Sequence, residues 1–193
     1  MKKNNWYFLI NPFTKIAGWK AFGIGIVIVI ATVLVGYLNG ICFPGLISIK
    51  SVPDLTLGNA FLLQSVGLLS TVIIMYIAGL IFAKNVRFQD ILGTTTLSRA
   101  PLLLLSPFGF MVEHIDPRAM LQSAMDGTFS LMDIKGMLVF GLLCMLFAVW
   151  VIALLYNAFR VSTNIKGGKS VGIFIAVILL SEVLANIALY LIL

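Results

Sequence analysis

The chain has 193 residues, 61% of them hydrophobic and only 10% charged, with a mean hydropathy of +1.10. A soluble domain carries roughly 25% charged residues because its surface must be wet, so a soluble enzyme is excluded. Disorder is excluded as well, since disordered chains are poor in apolar residues. The class that fits is an all-α, polytopic integral membrane protein.

Residues 1–20 read as a cytoplasmic tail. Asn11-Pro12 is a helix-start signal, and Phe13, Ile16 and Ala17 follow at helical spacing with Lys15 and Lys20 facing elsewhere. With Trp6, Tyr7, Phe8 and Trp19 this pattern predicts an interfacial helix; a simple aromatic belt accounts for the same residues.

Residues 21–193 read as a five-helix transmembrane domain. Its apolar stretches are Ala21–Leu38, Ala60–Ala83, Ala100–Val112, Gly136–Phe159 and Ser170–Leu193. About 20 helical residues cross a hydrocarbon core of about 30 Å. The third stretch is short, with Pro101 suited to a first turn and Pro107 expected to kink or end the helix. A re-entrant segment is the alternative.

Basic residues set the expected orientation. Five spans put Lys2, Lys3, Lys15, Lys20, Lys84, Arg87, Arg99, Arg160, Lys166 and Lys169 on one side, against Lys50, Arg118 and Lys135 on the other. That bias of ten to three predicts a cytoplasmic N-terminus and an outside C-terminus. Four of the seven acids (Glu113, Asp116, Asp126 and Asp133) fall between spans three and four, so the inner face is the basic one. Anionic lipids are the expected partners there, with a protein partner or a second copy as further candidates. Nucleic acid is not expected, because the charges already serve topology.

The loops carry weaker signals. Residues 39–59, with alternating Leu46, Ile47, Ile49 and Val52, are expected to fold back onto the outer surface. Asp116-Pro117 starts a short helix over Pro117–Met125, and Thr94, Thr95, Thr96 and Ser98 offer capping oxygens for span three. Cys42 and Cys144 lie at different depths, which predicts two free thiols.

Glu182 is the one acid well inside a long span, 13 positions and about 20 Å from Lys169. Such residues usually face the bundle interior. Asn186 lies one turn further along the same face, with Ser70 and Thr71 at its level on span two. These four form the candidate intramembrane polar site, read either as hydrogen-bonded glue between helices or as a proton-coupled relay. The absence of an intramembrane base favours glue. Arg87, Asp90, Arg99, Arg160, Lys166 and Lys169 are the candidate cytoplasmic lipid or partner contacts.

Small residues at helical spacing (Gly36 and Gly40; Gly172 and Ala176; Ser181, Ala185 and Ala188) allow close helix packing. His114 is the only histidine, so Glu113-His114-Ile115-Asp116 makes a poor metal site. Gly168-Lys169-Ser170 has the ending of a phosphate loop, but Thr163 stands where its leading glycine belongs. No hydrolase motif occurs, so no catalytic residue, cofactor or metal is expected.

Val86-Arg87-Phe88-Gln89-Asp90-Ile91-Leu92 running into Arg99-Ala100-Pro101 resembles the first cytoplasmic loop and third span of Yip-domain proteins. Tyr156-Asn157-Ala158-Phe159-Arg160-Val161 through Gly168-Lys169-Ser170 resembles that family's second inner loop. The resemblance spans roughly Asn11–Leu193 and implies a short, prokaryotic-type member, expected in a bacterial inner or plasma membrane. Eukaryotic members are partners of prenylated Rab GTPases. This chain lacks their long N-terminal region and their Asp-Leu-Tyr-Gly-Pro signature, of which Asp90-Ile91-Leu92-Gly93-Thr94 keeps only part, in a different loop. The expected function is non-enzymatic: organising membrane or partner proteins through basic cytoplasmic loops. The rival expectation is a small transporter or lipid-handling protein using Glu182 and the kinked third helix.

Overall fold

The computed structural model describes residues 6–46, 48–51, 55–83, 85–112, 122, 125–126 and 135–192. Helix α1 (Trp6–Ile10) and a 3-10 turn (Pro12–Thr14) precede α2 (Gly18–Leu38). Strands β1 (Ile41–Cys42) and β2 (Lys50–Ser51) form an antiparallel hairpin that pairs Ile41 with Ser51 and Cys42 with Lys50. Then come α3 (Leu57–Phe82), α4 (Phe88–Leu97), α5 (Ala100–Leu105) and a second 3-10 segment (Ser106–Met111). Two long helices, α6 (Lys135–Thr163) and α7 (Gly168–Ile192), complete the chain.

Among the described residues four helices (α2, α3, α6 and α7) are long and apolar enough to cross a membrane, as in a multi-pass membrane protein. Their outward faces are apolar too. Leu142, Met145, Leu146 and Val149 stand exposed on α6, while Val151, Leu154 and Leu155 are buried. A helix apolar on every face belongs in lipid.

The expected third helix differs from the structure. It begins at Phe88, twelve residues before the apolar stretch, and is divided into α4, α5 and the 3-10 segment. Pro101 and Pro107 each stand in the first turn of the piece that follows a break. Neither can donate an N–H to the preceding turn, so the helix cannot run through them. Thr94, Thr96 and Ser98 are not caps: they lie within or at the end of α4 and bond back to Asp90, Leu92 and Thr94 carbonyls at 2.6–2.7 Å. Hydroxyls satisfied on their own helix can be buried cheaply, which lets this polar run sit inside the bundle.

The broken segment follows α2 along its whole length and in the same direction. Gly93 packs on Gly18 and Phe22, Leu97 on Gly25, and Gly109 on Asn39 and Ile41. The approach is backbone to backbone: a Cβ on Gly25 would stand 2.7 Å from the Leu97 amide nitrogen. Helix α6 returns antiparallel, with Gly136 beside Met111 and Ser162 bonded to Thr94 at 3.1 Å.

The N-terminal segment docks on α6. Trp150 Nε1 donates to the Leu9 carbonyl at 2.8 Å and Asn157 Nδ2 to the Ile10 carbonyl at 3.2 Å. Phe13 is buried among Ala21, Leu97, Leu154 and Ala158. Asn11-Pro12 starts a 3-10 turn rather than the predicted helix, and the α-helix precedes it. Cys42 and Cys144 are free thiols, and burial pushes Cys42 up to about 11 against a smaller opposing pull from Lys50. Glu113, His114, Asp116, Arg118, Asp133 and most of the expected helix over 117–125 lie outside the described residues.

Candidate functional site

The first half of the hairpin does not rest on the surface, whereas Lys50 and Ser51 of β2 are exposed. Residues 41–46 are buried between α2, α3 and α7, where Ile41, Phe43 and Leu46 join the main apolar core with Leu68, Val72 and Val177. Driving a loop this deep exposes its backbone to an apolar interior, and every buried N–H and C=O then needs a partner. The polar side chains around it answer that need.

Glu182 meets the hairpin from α7. Its Oε2 accepts from the Leu46 amide at 2.9 Å, and its Oε1 accepts from the Ser48 amide at 3.0 Å and from the Ser48 hydroxyl. Asn186 Nδ2 reaches the same hydroxyl at 3.4 Å and the Glu182 carbonyl at 2.9 Å. From the opposite side, Gln64 on α3 donates to the Phe43 carbonyl at 2.7 Å and accepts from Arg99 Nη1 at 3.2 Å. The hairpin is thus clamped at Phe43, Leu46 and Ser48 by groups on two long helices, of which Gln64 is itself held by Arg99 of the broken segment.

Arg99 is the main correction. Placed by sequence among the cytoplasmic contacts, it is fully buried at the junction of α4 and α5. Among the described residues its Nε and Nη2 have no hydrogen-bond partner, and its charge interacts with that of Glu182. A buried cation therefore stands within electrostatic reach of Glu182, where the sequence offered none. A guanidinium is still a poor proton relay, because Arg does not deprotonate in proteins.

The other expected residues divide. Asn186 belongs to the cluster. Thr71 is buried but bonds the Gly67 carbonyl at 2.9 Å, and Ser70 is half-buried one position before it; neither bonds Glu182. Arg87, Arg160, Lys166 and Lys169 are exposed at the end of the bundle where α2 begins. Asp90 is half-buried beside the first turn of α2, its Oδ1 3.2 Å from where a Gly18 Cβ would stand. An acid there complements the positive end of that helix, which is a packing role. Sequence reading missed Gln64 and Ser48. Gln64 carried a usable signal, being an amide inside an apolar span.

Close approach also depends on Gly67, whose Cβ would overlap the Pro44 carbonyl. Gly67→Ala should lose about 1–3 kcal/mol by overpacking, read as a lower melting temperature in detergent. An unchanged melting temperature would mean that the hairpin is not seated against α3.

Among the described residues, no three His, Cys, Asp or Glu side chains lie close enough to hold a metal ion. An apolar groove of about 530 Å³ opens sideways along α7 beside Glu182 and Asn186, lined by Leu179, Val183, Ile187, Tyr190 and Leu191. No family model, curated protein or solved structure matches this chain.

Proposed function

We propose that the chain is a non-enzymatic, Yip-like membrane protein that crosses the bilayer five times. In this reading it organises anionic lipid or partner proteins from its basic cytoplasmic face. The observation that carries it is the engagement of Glu182: both carboxyl oxygens are used to hold the hairpin. A group committed to three donors of its own chain is a structural fastener, and moving a proton or a solute through it would unfasten the loop.

The run of the broken segment beside all of α2 supports a fifth crossing. Its 24 residues, Phe88 to Met111, would extend about 36 Å at helical rise, enough for a core of about 30 Å. With Arg99 inside the bundle, the basic count becomes nine against three, still a strong inside bias. The Gly18 end is then cytoplasmic and the hairpin end external.

Cysteine labelling tests the topology. With Cys42 and Cys144 replaced by Ser, an impermeant maleimide should modify Lys50→Cys in intact cells and Lys166→Cys only after permeabilisation. External modification of both would sink the five-crossing arrangement. The organising role is tested by purifying the tagged protein from its native membrane and resolving the lipids and proteins that accompany it. The role requires at least one to be lost when Arg87, Arg160, Lys166 and Lys169 are neutralised together.

The groove beside Glu182 favours the second reading, a lipid-handling protein. Reconstituted vesicles decide between the two. The structural reading expects no acceleration of lipid exchange between leaflets, and the second expects acceleration that Glu182→Gln removes.

A further inference from the structure

We propose that the cleft between α3 and α7 at the Gly18 end binds one anionic glycerophospholipid, its phosphate on Lys166 and Lys169 and one acyl chain along the helices. The proposal deepens the lipid-organising role above and rests on that end being the cytoplasmic face.

The local sequence builds the head of the site. Helix α6 ends at Thr163, and Asn164 turns the chain with φ 55°, a left-handed conformation that Asn tolerates. Gly167 follows at φ 71°, and α7 starts at Gly168. This tight double turn brings Lys166 and Lys169 to one opening of about 430 Å³, which Asn85 and Asn164 also line. None of its lining residues is acidic. Lys169 Nζ lies 5.6 Å from the centre of the Phe82 ring, which steadies the ammonium at the mouth.

Phe82 also lines a second, apolar groove of about 330 Å³ that continues along the two helices. On α7 the groove takes Gly172, Ile173, Ala176, Val177 and Leu180, which share one helical face with Lys169. On α3 it takes Ile74, Ile77, Ala78 and Ile81, again one face. A Cβ at Gly172 would meet no atom within 4 Å, so the floor there is open space.

Charge and length choose the occupant. Two lysines with no acidic side chain among the described lining residues favour an anionic headgroup over a zwitterionic one. From Lys169 to Leu180 is eleven residues, about 16 Å, against about 15 Å for one leaflet of the hydrocarbon core. An acyl chain of the cytoplasmic leaflet fits that span, whereas a transmembrane partner helix needs a seam nearly twice as long.

The test uses purified full-length protein in detergent. Native mass spectrometry reads retention of palmitoyl-oleoyl phosphatidylglycerol against phosphatidylcholine, with inorganic phosphate as the headgroup-only probe. The wild type should retain phosphatidylglycerol preferentially and phosphate not at all. Lys166→Gln with Lys169→Gln should lower retention roughly fivefold per lysine. Gly172→Leu should lower it at least tenfold, at about fourfold per displaced methylene, without lowering the lipid-free melting temperature. Ala176→Leu serves as a second groove-filling variant, and Arg87→Gln with Arg160→Gln is the comparison pair, expected to lower retention by less than the lysine pair does.

Equal losses from every basic pair, with both groove variants silent, would overturn the site and leave the basic-face reading standing. No preference for phosphatidylglycerol in the wild type would overturn both. Groove variants that change the oligomeric state but not lipid retention would overturn the site in favour of a second copy seated in the cleft.

Discussion

Glu182→Leu should release the hairpin and cost about 3 kcal/mol, at roughly 1 kcal/mol for each of the three donors it strands. The penalty exceeds that of an ordinary interhelical hydrogen bond in a membrane, which averages about 0.6 kcal/mol. Two of the orphaned groups are loop amides, and a leucine offers them nothing. Glu182→Gln should fall between, because only one end of an amide accepts. Whichever way it turns, an NH₂ faces either Leu46 N–H or the Ser48 pair, at a cost of about 1–2 kcal/mol. The direct readout is Cys42, buried in β1 with a thiol that burial keeps protonated. Its alkylation should be slow in the wild type, faster in the Gln variant and fastest in the Leu variant. Equal alkylation in all three would mean that Glu182 does not hold the hairpin.

The long apolar helices were legible because lipid imposes a composition that no other environment selects. The third segment was harder to read, and Arg99 shows why. In Ser98-Arg99-Ala100-Pro101 a lone Arg two positions before a proline reads as the end of a loop. The helix in fact starts at Phe88, since the threonine hydroxyls are satisfied within α4 and leave it free to lie against α2. The local signal for a cap and the tertiary signal for burial use the same residues, and packing decided between them.

Glu182 was conspicuous as an acid inside a span, but its partners were not. Counting helical rise pointed to Ser70 and Thr71, side chains at a similar level on α3. The donors came instead from backbone N–H groups of a loop carried into the bundle, and a backbone amide has no sequence signature. The apolar run Ile41-Cys42-Phe43-Pro44-Gly45-Leu46 was the available clue. Six such residues are too costly to leave in water, and Gly67 leaves room on α3 for the chain to pass.

Arg99→Ala should destabilise the protein by about 2–5 kcal/mol, because it empties the volume of a fully buried long side chain and strands the Gln64 oxygen. Arg99→Met should cost distinctly less. Methionine refills the volume of the arginine stem and removes two N–H groups that the structure leaves unpartnered, each an expense in the wild type. Both variants withdraw the donor to Gln64 and the positive charge near Glu182. The gap between them therefore measures packing, and the loss they share measures electrostatics. A double-mutant cycle of Arg99→Met with Glu182→Leu isolates the coupling, expected at about 1–3 kcal/mol because Arg99 holds Gln64, which fixes the same hairpin as Glu182. Melting temperatures in detergent give every corner of the cycle. Additivity within about 0.5 kcal/mol would show that the two clamps hold the loop independently. A methionine variant as unstable as the alanine one would show that the charge, not the stem, secures the junction of α4 and α5.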